Sequence, residues 1–333
     1  MSQRAVVGTI GEGLLEVGID PALAPEHLGR GFGGDAANVA VMAAGMGAEV
    51  RVLTRVGEDT AGRLLLDFWR ARGVDVSFVG VDPTAPTGLY VNESSPGGDH
   101  QFSYHRSGSA ASLLNADDLS GEFLEGLDVL HVTGITLAIS ASAAYAAEAA
   151  IERARAAGVA VSFAVNYRPQ LAPDRDRLAA VARHADVVFV STEDARGLLG
   201  VTSPAEITAA LGSHEGELVI TDGHDSALLL SGVDEVRVAP PPVLVVDTAG
   251  AGDALAGAYL AGRFGGSDPS RALVLGVAAG ALSCRGTGCA RTYPPGAEVV
   301  ACARALADGE PVARTLGRAT RARRRASSSR GPS

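Results

Sequence analysis

The hydrophobic positions of the chain fall into short apolar runs separated by longer stretches of helical character. From residue 127 onward the alternation is regular, because each apolar run is typical of a buried strand and each intervening stretch favours a helix. Strands and helices in this order form a mostly parallel sheet covered by helices on both faces. The predicted strands are 129–133, 159–165, 187–190, 218–221, 227–230 and 235–238, and the helices are 140–157, 175–184 and 204–211, followed by two apolar helices at the end of the fold.

The N-terminal part follows the same pattern until one pair of segments changes its period. Thr87–Glu93 and Gln101–Arg106 alternate as strands do, and Ser94–Asp99 supplies a turn between them, so a hairpin is predicted. Phe102, Tyr104 and Arg106 share one face, with Tyr90 as a cross-strand neighbour. This face suits an anionic polar ligand, although an ordinary packed sheet face fits equally. The other elements predicted here are strands 5–10, 50–54 and 76–79 and helices 39–47 and 59–72.

Residues 243–257 predict a strand, a glycine-rich turn and a helix. The strand is Val243–Val246, the turn contains Gly250–Gly252, and the helix covers Ala254–Gly262. Small residues at a helix start leave N–H groups open to a phosphate or a developing oxyanion. Asp253 stands beside them. Its structural interpretation is a helix cap, and its functional interpretation is a general base next to a phosphate.

A glycine pair, Gly33 and Gly34, precedes the helix predicted at 39–47. Two glycines in succession allow a ligand to approach the backbone closely. Asn38 could present its amide to the same ligand. A flexible linker followed by a surface asparagine is the alternative that this motif leaves open.

Polar residues follow several of the predicted strands directly. Because the carboxyl ends of parallel strands share one edge of a sheet, and open α/β sheets bind ligands there, these residues predict a common ligand site. The four groups are 166–168, 191–194, 221–223 and 247–253.

Charge and composition exclude several classes of protein. All 28 basic residues are arginine, which excludes a Walker A loop and Schiff-base chemistry because both need lysine. The net charge of -10 argues against broad nucleic-acid binding. No apolar run reaches the roughly 20 residues of a membrane helix, and no signal segment begins the chain. We therefore expect a cytoplasmic protein that contacts neither nucleic acid nor membrane.

Two further features are predicted to have no catalytic role. Cys284, Cys289 and Cys302 lack the spacing of a metal knuckle, and buried inert thiols are the interpretation we adopt. Arginines crowd residues 311–333, which are predicted to form a disordered, solvated tail. Residues 1–310 are then one α/β domain.

Two motifs together resemble the ribokinase-like (pfkB) carbohydrate kinases. Gly33–Ala40 with Gly47 is similar to the N-terminal signature of that family, and Asp247–Asp253 is similar to its C-terminal signature. The resemblance covers about residues 5–308. It implies a three-layer α/β/α fold with a small β lid formed by about 12–34 and 86–108. Segments 87–90, 102–110 and 165–168 look like the 2-keto-3-deoxygluconate kinases.

The resemblance also assigns roles to individual residues. Asp253 would be the base toward the attacking sugar hydroxyl, and the N–H groups of Gly250, Ala251 and Gly252 would stabilise the transferring phosphoryl group. ATP and Mg²⁺ are implied as cofactors, with a monovalent cation as a further candidate. The residues implied for the sugar are Gly33, Gly34, Asn38, Tyr90, Tyr104, Arg106 and Arg168; those for the nucleotide are Ser191, Thr221, Gly223, Gly250 and Gly252; and those for metal are Asp194 and Asp247.

The metal assignments depart from the family pattern. Ala164 stands where related kinases carry an acidic residue, and Ser191 with Asp194 replaces a common Asn-x-x-Glu motif.

Three candidate functions remain: phosphorylation of 2-keto-3-deoxygluconate at its 6-hydroxyl, phosphorylation of fructose or a related keto sugar, and sugar sensing without catalysis. The intact Asp253 motif favours a kinase. The exposed edge of the lid hairpin offers a surface for pairing between two copies of the chain.

Overall fold

A computed structural model of the chain describes residues 4–19, 28–94, 100–212 and 216–309. The tail 311–333 and most of the predicted hairpin turn lie outside these ranges. The strands are β1 (Val6–Ile10), β2 (Leu14–Ile19), β3 (Leu28–Gly33), β4 (Glu49–Gly57), β5 (Val74–Asp75), β6 (Val79–Asp82), β7 (Leu89–Ser94), β8 (His100–His105), β9 (Val129–Thr133), β10 (Ala160–Ala164), β11 (Val187–Ser191), β12 (Glu217–Thr221), β13 (Ala227–Ser231) and β14 (Asp234–Val238). The helices are α1 (Asp35–Gly45), α2 (Thr60–Ala71), α3 (Gly121–Leu124), α4 (Ala141–Ala156), α5 (Arg175–His184), α6 (Thr192–Leu199), α7 (Pro204–Ala210), α8 (Ala251–Phe264), α9 (Pro269–Ser283) and α10 (Gly296–Ala307).

The larger sheet is mostly parallel, as predicted. Its strands lie in the order β14-β13-β12-β11-β10-β9-β1-β4-β5, with β6 paired to β4. All pairs from β4 to β12 are parallel, whereas β12, β13 and β14 form an antiparallel edge. The carboxyl ends of the parallel strands therefore meet along one edge, where the predicted polar groups begin.

Both faces of this sheet are buried, because successive side chains of a strand point to opposite sides. In β11, Val187 and Phe189 pack into one apolar layer with α1, α8, α9 and α10. Val188 and Val190 pack into the opposite layer with α4, α5 and α6. The prediction of a three-layer α/β/α fold is thus confirmed.

The smaller sheet has four strands in the order β3-β2-β7-β8. They come from the two segments that were predicted to form the lid. β7 and β8 are the predicted hairpin, with Tyr90 opposite Tyr104 and Asn92 opposite Phe102. Parallel pairing of β2 with β7 joins the hairpin to the N-terminal pair of strands.

The base of the hairpin is tied to the core by the N-cap of α2. The Asp59 carboxylate accepts the Gly62 N–H at 2.7 Å, as helix caps do. The same carboxylate accepts the Thr87 N–H and the Thr87 hydroxyl, both at 2.8 Å. Thr87 Oγ1 in turn accepts the Gly57 N–H at 2.8 Å. Residue 87, just before β7, is therefore fixed to the larger sheet.

The predicted strand Val243–Val246 is wrong. This segment is irregular, and Leu244, Val245 and Val246 are exposed. Residues 240–242 are prolines, which have no N–H to donate to a neighbouring strand. The N–H groups of Val246 and Asp247 instead bond the Cys284 carbonyl at 2.8 and 3.2 Å. A continuous apolar run predicted burial here, but no sheet partner reaches it.

Other boundaries also differ from the prediction: α1 begins at Asp35 rather than at residue 39, and β4 is longer than the predicted 50–54. The strand predicted at 76–79 is interrupted because the Asp75 carboxylate accepts the N–H of Ser77 at 2.8 Å, which turns the chain between β5 and β6. Residues 28–33 were predicted as part of a loop and glycine motif, but they form β3. Glycine is uncommon in strands, so the three glycines of this segment did not predict β3, which pairs with β2.

Candidate active site

The turn before α8 is shaped by a glycine. Gly250 has φ of +76°, in the left-handed region that favours glycine, and α8 begins at the next residue. The first N–H groups of a helix have no acceptor within the helix. A Cβ built on Gly252 would meet no atom within 4 Å, so this helix start faces open space. Backbone donors and the positive end of the helix dipole together favour an anion there.

Asp253 lies in the first turn of α8 and is held by α1. Asn38 Nδ2 donates to Asp253 Oδ2 at 2.8 Å. Asn166 Nδ2 donates to Oδ2 of the buried Asp35, at the start of α1, at 3.1 Å. Asn166 has φ of +36°, an uncommon conformation for a residue other than glycine. Two carboxylates and two amides are thus brought together from three distant segments.

The surroundings of Asp253 suit a base at neutral pH. Desolvation by the surrounding protein raises the pKa of Asp253 to about 7, and the negative charge of Asp35 adds to the rise. The Asn38 hydrogen bond and the charge of Arg168 act in the opposite direction. A general base is most effective when its pKa lies near the working pH.

The glycine pair is required by close packing as well as by conformation. A Cβ on Gly34, which has φ of +98°, would lie 2.2 Å from the Glu12 carbonyl oxygen. A Cβ on Gly33 would lie 2.6 Å from Tyr90 Oη. The two glycines therefore let the end of β3 approach both the β1–β2 turn and the face of the smaller sheet.

Aromatic rings form the face of the smaller sheet beside these glycines. The Tyr90 ring lies 5.6 Å from the Tyr104 ring and 6.0 Å from the Phe102 ring, measured between centroids. Tyr90 is buried, whereas Tyr104 is 47% exposed. The buried Glu16 carboxylate accepts hydrogen bonds from Tyr90 Oη and Asn92 Nδ2, each at 2.9 Å. The sheet thus offers a ring surface backed by a fixed carboxylate.

Both predicted arginines already have a carboxylate nearby. Arg106 forms an ion pair with the buried Glu12, and its guanidinium carbon lies 4.3 Å from the centroid of the Tyr104 ring. Arg168 is half-exposed and lies 3.5 Å from an oxygen of Asp194. Burial raises the pKa of Tyr104, and the charges of Arg106 and Arg168 oppose that rise. Both guanidiniums therefore act on the same phenol.

Glu12 is unusual among these charges. Only 2% of the residue is exposed, and Oε2 has no hydrogen-bond partner among the residues that the structure describes. Burial raises the pKa of Glu12 to about 7 even though Arg106 lowers it, and Asp35 adds to the rise. The local protein thus disfavours the ionised form despite the ion pair.

The residues predicted for the nucleotide lie at the ends of two neighbouring strands. Ser191 pairs in register with Thr221, and Gly223 follows with φ of +54°. Ser191 Oγ accepts the Asp194 N–H at 2.9 Å and donates to Asp194 Oδ2 at 2.7 Å, so it caps α6. Their position fits a nucleotide at the sheet edge.

The two predicted metal ligands are engaged by their own chain. Asp194 Oδ1 accepts the Tyr167 N–H at 2.8 Å. Asp247 is buried and accepts the N–H groups of Ala249 at 2.8 Å and Gly288 at 3.1 Å. Within the described ranges, no three His, Cys, Asp or Glu side chains are grouped to hold a metal ion. The residues present do not form a cage for magnesium.

The profile of the pfkB family of carbohydrate kinases matches residues 16–295. The chain belongs to this family. Among its pfkB relatives, the 2-dehydro-3-deoxygluconokinase of Thermoproteus tenax is 38% identical over 272 residues, which cover 75% of this chain and 78% of the relative.

Solved structures of pfkB kinases share the fold. A double mutant of the fructokinase of Vibrio cholerae O395, with fructose, ADP and a potassium ion bound, gives a TM-score of 0.82 at 27% identity and covers 90% of this chain and 99% of its own. A candidate ribokinase II of E. coli in complex with ATP and Mg²⁺ gives a TM-score of 0.81 at 27% identity, covering 89% and 98%. The predicted ribokinase-like fold is confirmed, and the protein is a sugar kinase.

The pfkB site contains residues that sequence reasoning did not single out. They are Glu12, Glu16, Asp35 and Tyr293, whose hydroxyl bonds the Gly250 carbonyl. Glu16 carried a signal, because a carboxylate inside an apolar strand must find partners when it is buried. Asp35 lay inside the Gly33–Ala40 motif but was not assigned a role. Glu12 and Tyr293 carried no signal, since their partners come from segments far away in sequence. None of the helices described is long and apolar enough to cross a bilayer.

Proposed function

We propose that this pfkB kinase transfers the γ-phosphoryl group of MgATP to the 6-hydroxyl of 2-keto-3-deoxygluconate. The observation that carries the catalytic part is the Asn38–Asp253 hydrogen bond beside the open start of α8. It puts a carboxylate whose pKa is raised toward neutrality next to backbone N–H donors.

In the proposed step, Asp253 accepts the proton of the sugar hydroxyl as the hydroxyl oxygen attacks the γ-phosphorus. The bond from phosphorus to the bridging oxygen breaks, and that oxygen leaves with ADP. Charge on the transferring phosphoryl group is stabilised by the N–H groups of Gly250 and Gly252, because such transfer depends on alignment and charge neutralisation. The Ala251 N–H, also predicted for this role, is used within the turn by the Thr248 carbonyl. The Asn38 amide fixes the direction of the Asp253 carboxylate.

Magnesium enters this proposal with the nucleotide. The described carboxylates form no cage of their own, and Mg²⁺ is commonly bound through substrate phosphates with one or two carboxylates at most. Potassium is present in the Vibrio cholerae structure, which makes a monovalent cation a further candidate here. No step in the mechanism is assigned to either ion.

The choice of a sugar acid rests on the relatives and on two guanidiniums. The Thermoproteus tenax relative is named for the keto acid. Arg168 is half-exposed beside Tyr104, so its unused donors can bind a carboxylate in a forked arrangement. Arg106 packs against that ring and is already paired with Glu12.

Fructose or a related keto sugar is the second candidate. Glu12 and Asp194 already compensate the two arginines, so an uncharged sugar would not leave either guanidinium without a counter-charge. The Vibrio cholerae fructokinase, which contains fructose, shares the fold. A sugar sensor without catalysis is the third candidate, and the retained Asp253 site opposes it.

An ADP-release assay across a panel of sugars tests the proposal. The panel contains 2-keto-3-deoxygluconate, fructose, ribose and gluconate, each at saturating MgATP. We expect the highest kcat/KM with the keto acid and a 6-phosphate product by NMR. A higher kcat/KM with fructose would select the second candidate, and binding without ADP release would select the sensor.

A further inference from the structure

Tyr293 lies behind the turn that starts α8. It follows the short 3₁₀ turn 290–292 and is buried, with 8% of its surface exposed. Its hydroxyl donates to the Gly250 carbonyl oxygen at 2.7 Å. That oxygen also accepts the Ala254 N–H at 2.9 Å, the first hydrogen bond along the helix. The Gly250 carbonyl is therefore held by two donors from different parts of the chain.

Fixing this carbonyl fixes the donors that follow it. The peptide group is planar and trans, so the Gly250 C=O and the Ala251 N–H point in opposite directions in one plane. The Ala251 N–H also bonds the Thr248 carbonyl at 3.2 Å, which closes the turn. This peptide contains only the Ala251 N–H, but its orientation sets the direction in which α8 starts and so the direction of the N–H groups that follow in its first turn.

Packing and the hydroxyl hydrogen bond both contribute to the position of the Tyr293 side chain. A cavity of about 310 Å³ borders the tyrosine and is lined in addition by Val41, Met42, Gly45, Arg72, Pro294 and Pro295. Because Tyr293 borders this space, packing does not enclose the residue on every side. The hydroxyl lies so close to the turn that a Cβ on Gly250 would be 2.7 Å from it.

The hydroxyl is a donor at every working pH. Burial raises the pKa of Tyr293 well above its ordinary value, and the charge of Asp253 adds to the rise. Two thiols also act on it, those of Cys289 and Cys284, and burial raises the pKa of each of them as well. Neither this phenol nor the two thiols changes charge near neutral pH, so the hydroxyl keeps its proton there.

We propose that Tyr293 is a positioning residue for phosphoryl transfer: its hydroxyl holds the Gly250 peptide so that the N–H groups of the first turn of α8 point at the transferring group. This role rests on the proposed function, because it needs that turn to stabilise the phosphoryl group. Misdirected donors weaken stabilisation of the transition state more than substrate binding. The expected signature is a fall in kcat at nearly constant KM.

Tyr293→Phe tests this role, because it keeps the ring and removes only the hydroxyl. We expect kcat to fall about 10-fold, less than the roughly 100-fold or more lost when an oxyanion donor itself is removed. KM for sugar and for ATP should stay within about twofold. Tyr293→Leu, which also removes the ring, should lose at least as much kcat and have a lower Tm.

Tyr259→Phe is the matched control. Tyr259 lies within α8 itself, is fully buried, and donates to Glu217 Oε2 at 2.7 Å, the same distance as in the Tyr293–Gly250 bond. Its partner is a side chain at the start of β12, at the opposite end of that strand from the predicted nucleotide residues. We expect this variant to lose stability while kcat stays within about twofold.

The assay uses whichever sugar the wild-type kinase phosphorylates fastest, so the role of Tyr293 is tested apart from the choice of acceptor. Wild-type kcat in Tyr293→Phe would overturn the positioning role alone. So would losses of Tm and kcat that match those of Tyr259→Phe. Absence of wild-type turnover on every sugar would overturn the proposed function and this role together.

Discussion

The first turn of α8 and the face of the smaller sheet are held in place in different ways. At the helix start, backbone N–H groups face the open space beside Gly252, and the Gly250 carbonyl is fixed by Tyr293 and Ala254. On the smaller sheet, the groups are side chains paired across the fold, such as Glu12 with Arg106 and Glu16 with Tyr90.

This difference fits the proposed roles, with phosphoryl transfer at the helix start and sugar recognition on the smaller sheet. A backbone turn presents the same donors whatever side chains surround it, which suits a phosphoryl group common to all substrates of a kinase. Paired side chains can be exchanged one at a time, which suits an acceptor that varies between relatives. Changes at the helix start should therefore affect kcat, and changes on the sheet face should affect KM for the sugar.

The largest effect is expected for Asp253→Asn. The amide keeps the size of the side chain but cannot accept the hydroxyl proton, so kcat should fall by about 1,000-fold while both KM values change little. Asp268→Asn is the control, because Asp268 caps α9 with a bond of 3.0 Å to the Arg271 N–H. It should lower Tm and leave kcat nearly unchanged. If kcat of Asp253→Asn equals that of Asp268→Asn, Asp253 is not the general base.

A smaller effect is expected for Arg168→Ala, and it should appear in KM for the sugar rather than in kcat. Loss of a charge-assisted hydrogen bond of about 1.5–3 kcal/mol would raise KM for the sugar acid about 10- to 100-fold, while KM for ATP stays constant. Arg177→Ala is the control, since Arg177 pairs with Glu148 at 2.9 Å on the helical surface. Equal rises in the two KM values of Arg168→Ala would contradict the division between the two regions.

The smallest effect is expected for Glu12→Gln and concerns stability. The pKa of Glu12 rises from 4.5 to about 7 on folding, so folded protein binds this proton more tightly than unfolded protein. Stability from this group is complete below pH 4.5 and is lost as pH rises toward 7. Glutamine has no such proton, so from pH 5 to pH 8 the variant should gain about 1–2 kcal/mol relative to wild type. If Tm of wild type and of Glu12→Gln change with pH in parallel from pH 5 to pH 8, folding does not disfavour the ionised form of Glu12.

Much of the fold was predictable because it depends on local pattern. Val129–Thr133 and Arg175–His184 have the predicted bounds, since a buried run and an amphipathic stretch each specify one element. Val243–Val246 failed because an apolar run shows that burial is favourable, not that a partner strand is present. β3 was missed because its glycines mask a pairing decided by β2.

The candidate site divides along the same line. Asp253 and its glycines form one contiguous motif, so they could be singled out from sequence. The ion pair between Glu12 and Arg106 joins residues 94 positions apart, and the Tyr293–Gly250 bond spans 43. No local signal in sequence specifies such partners, because they meet only when the two sheets and the closing helices are assembled.

The bonds between Asp59 and Thr87 fix the start of β7 to the N-cap of α2. Pairing with β2 then supports β7 in register from Leu89 to Glu93. One carboxylate thus couples the start of a core helix to the sheet face that carries Tyr90.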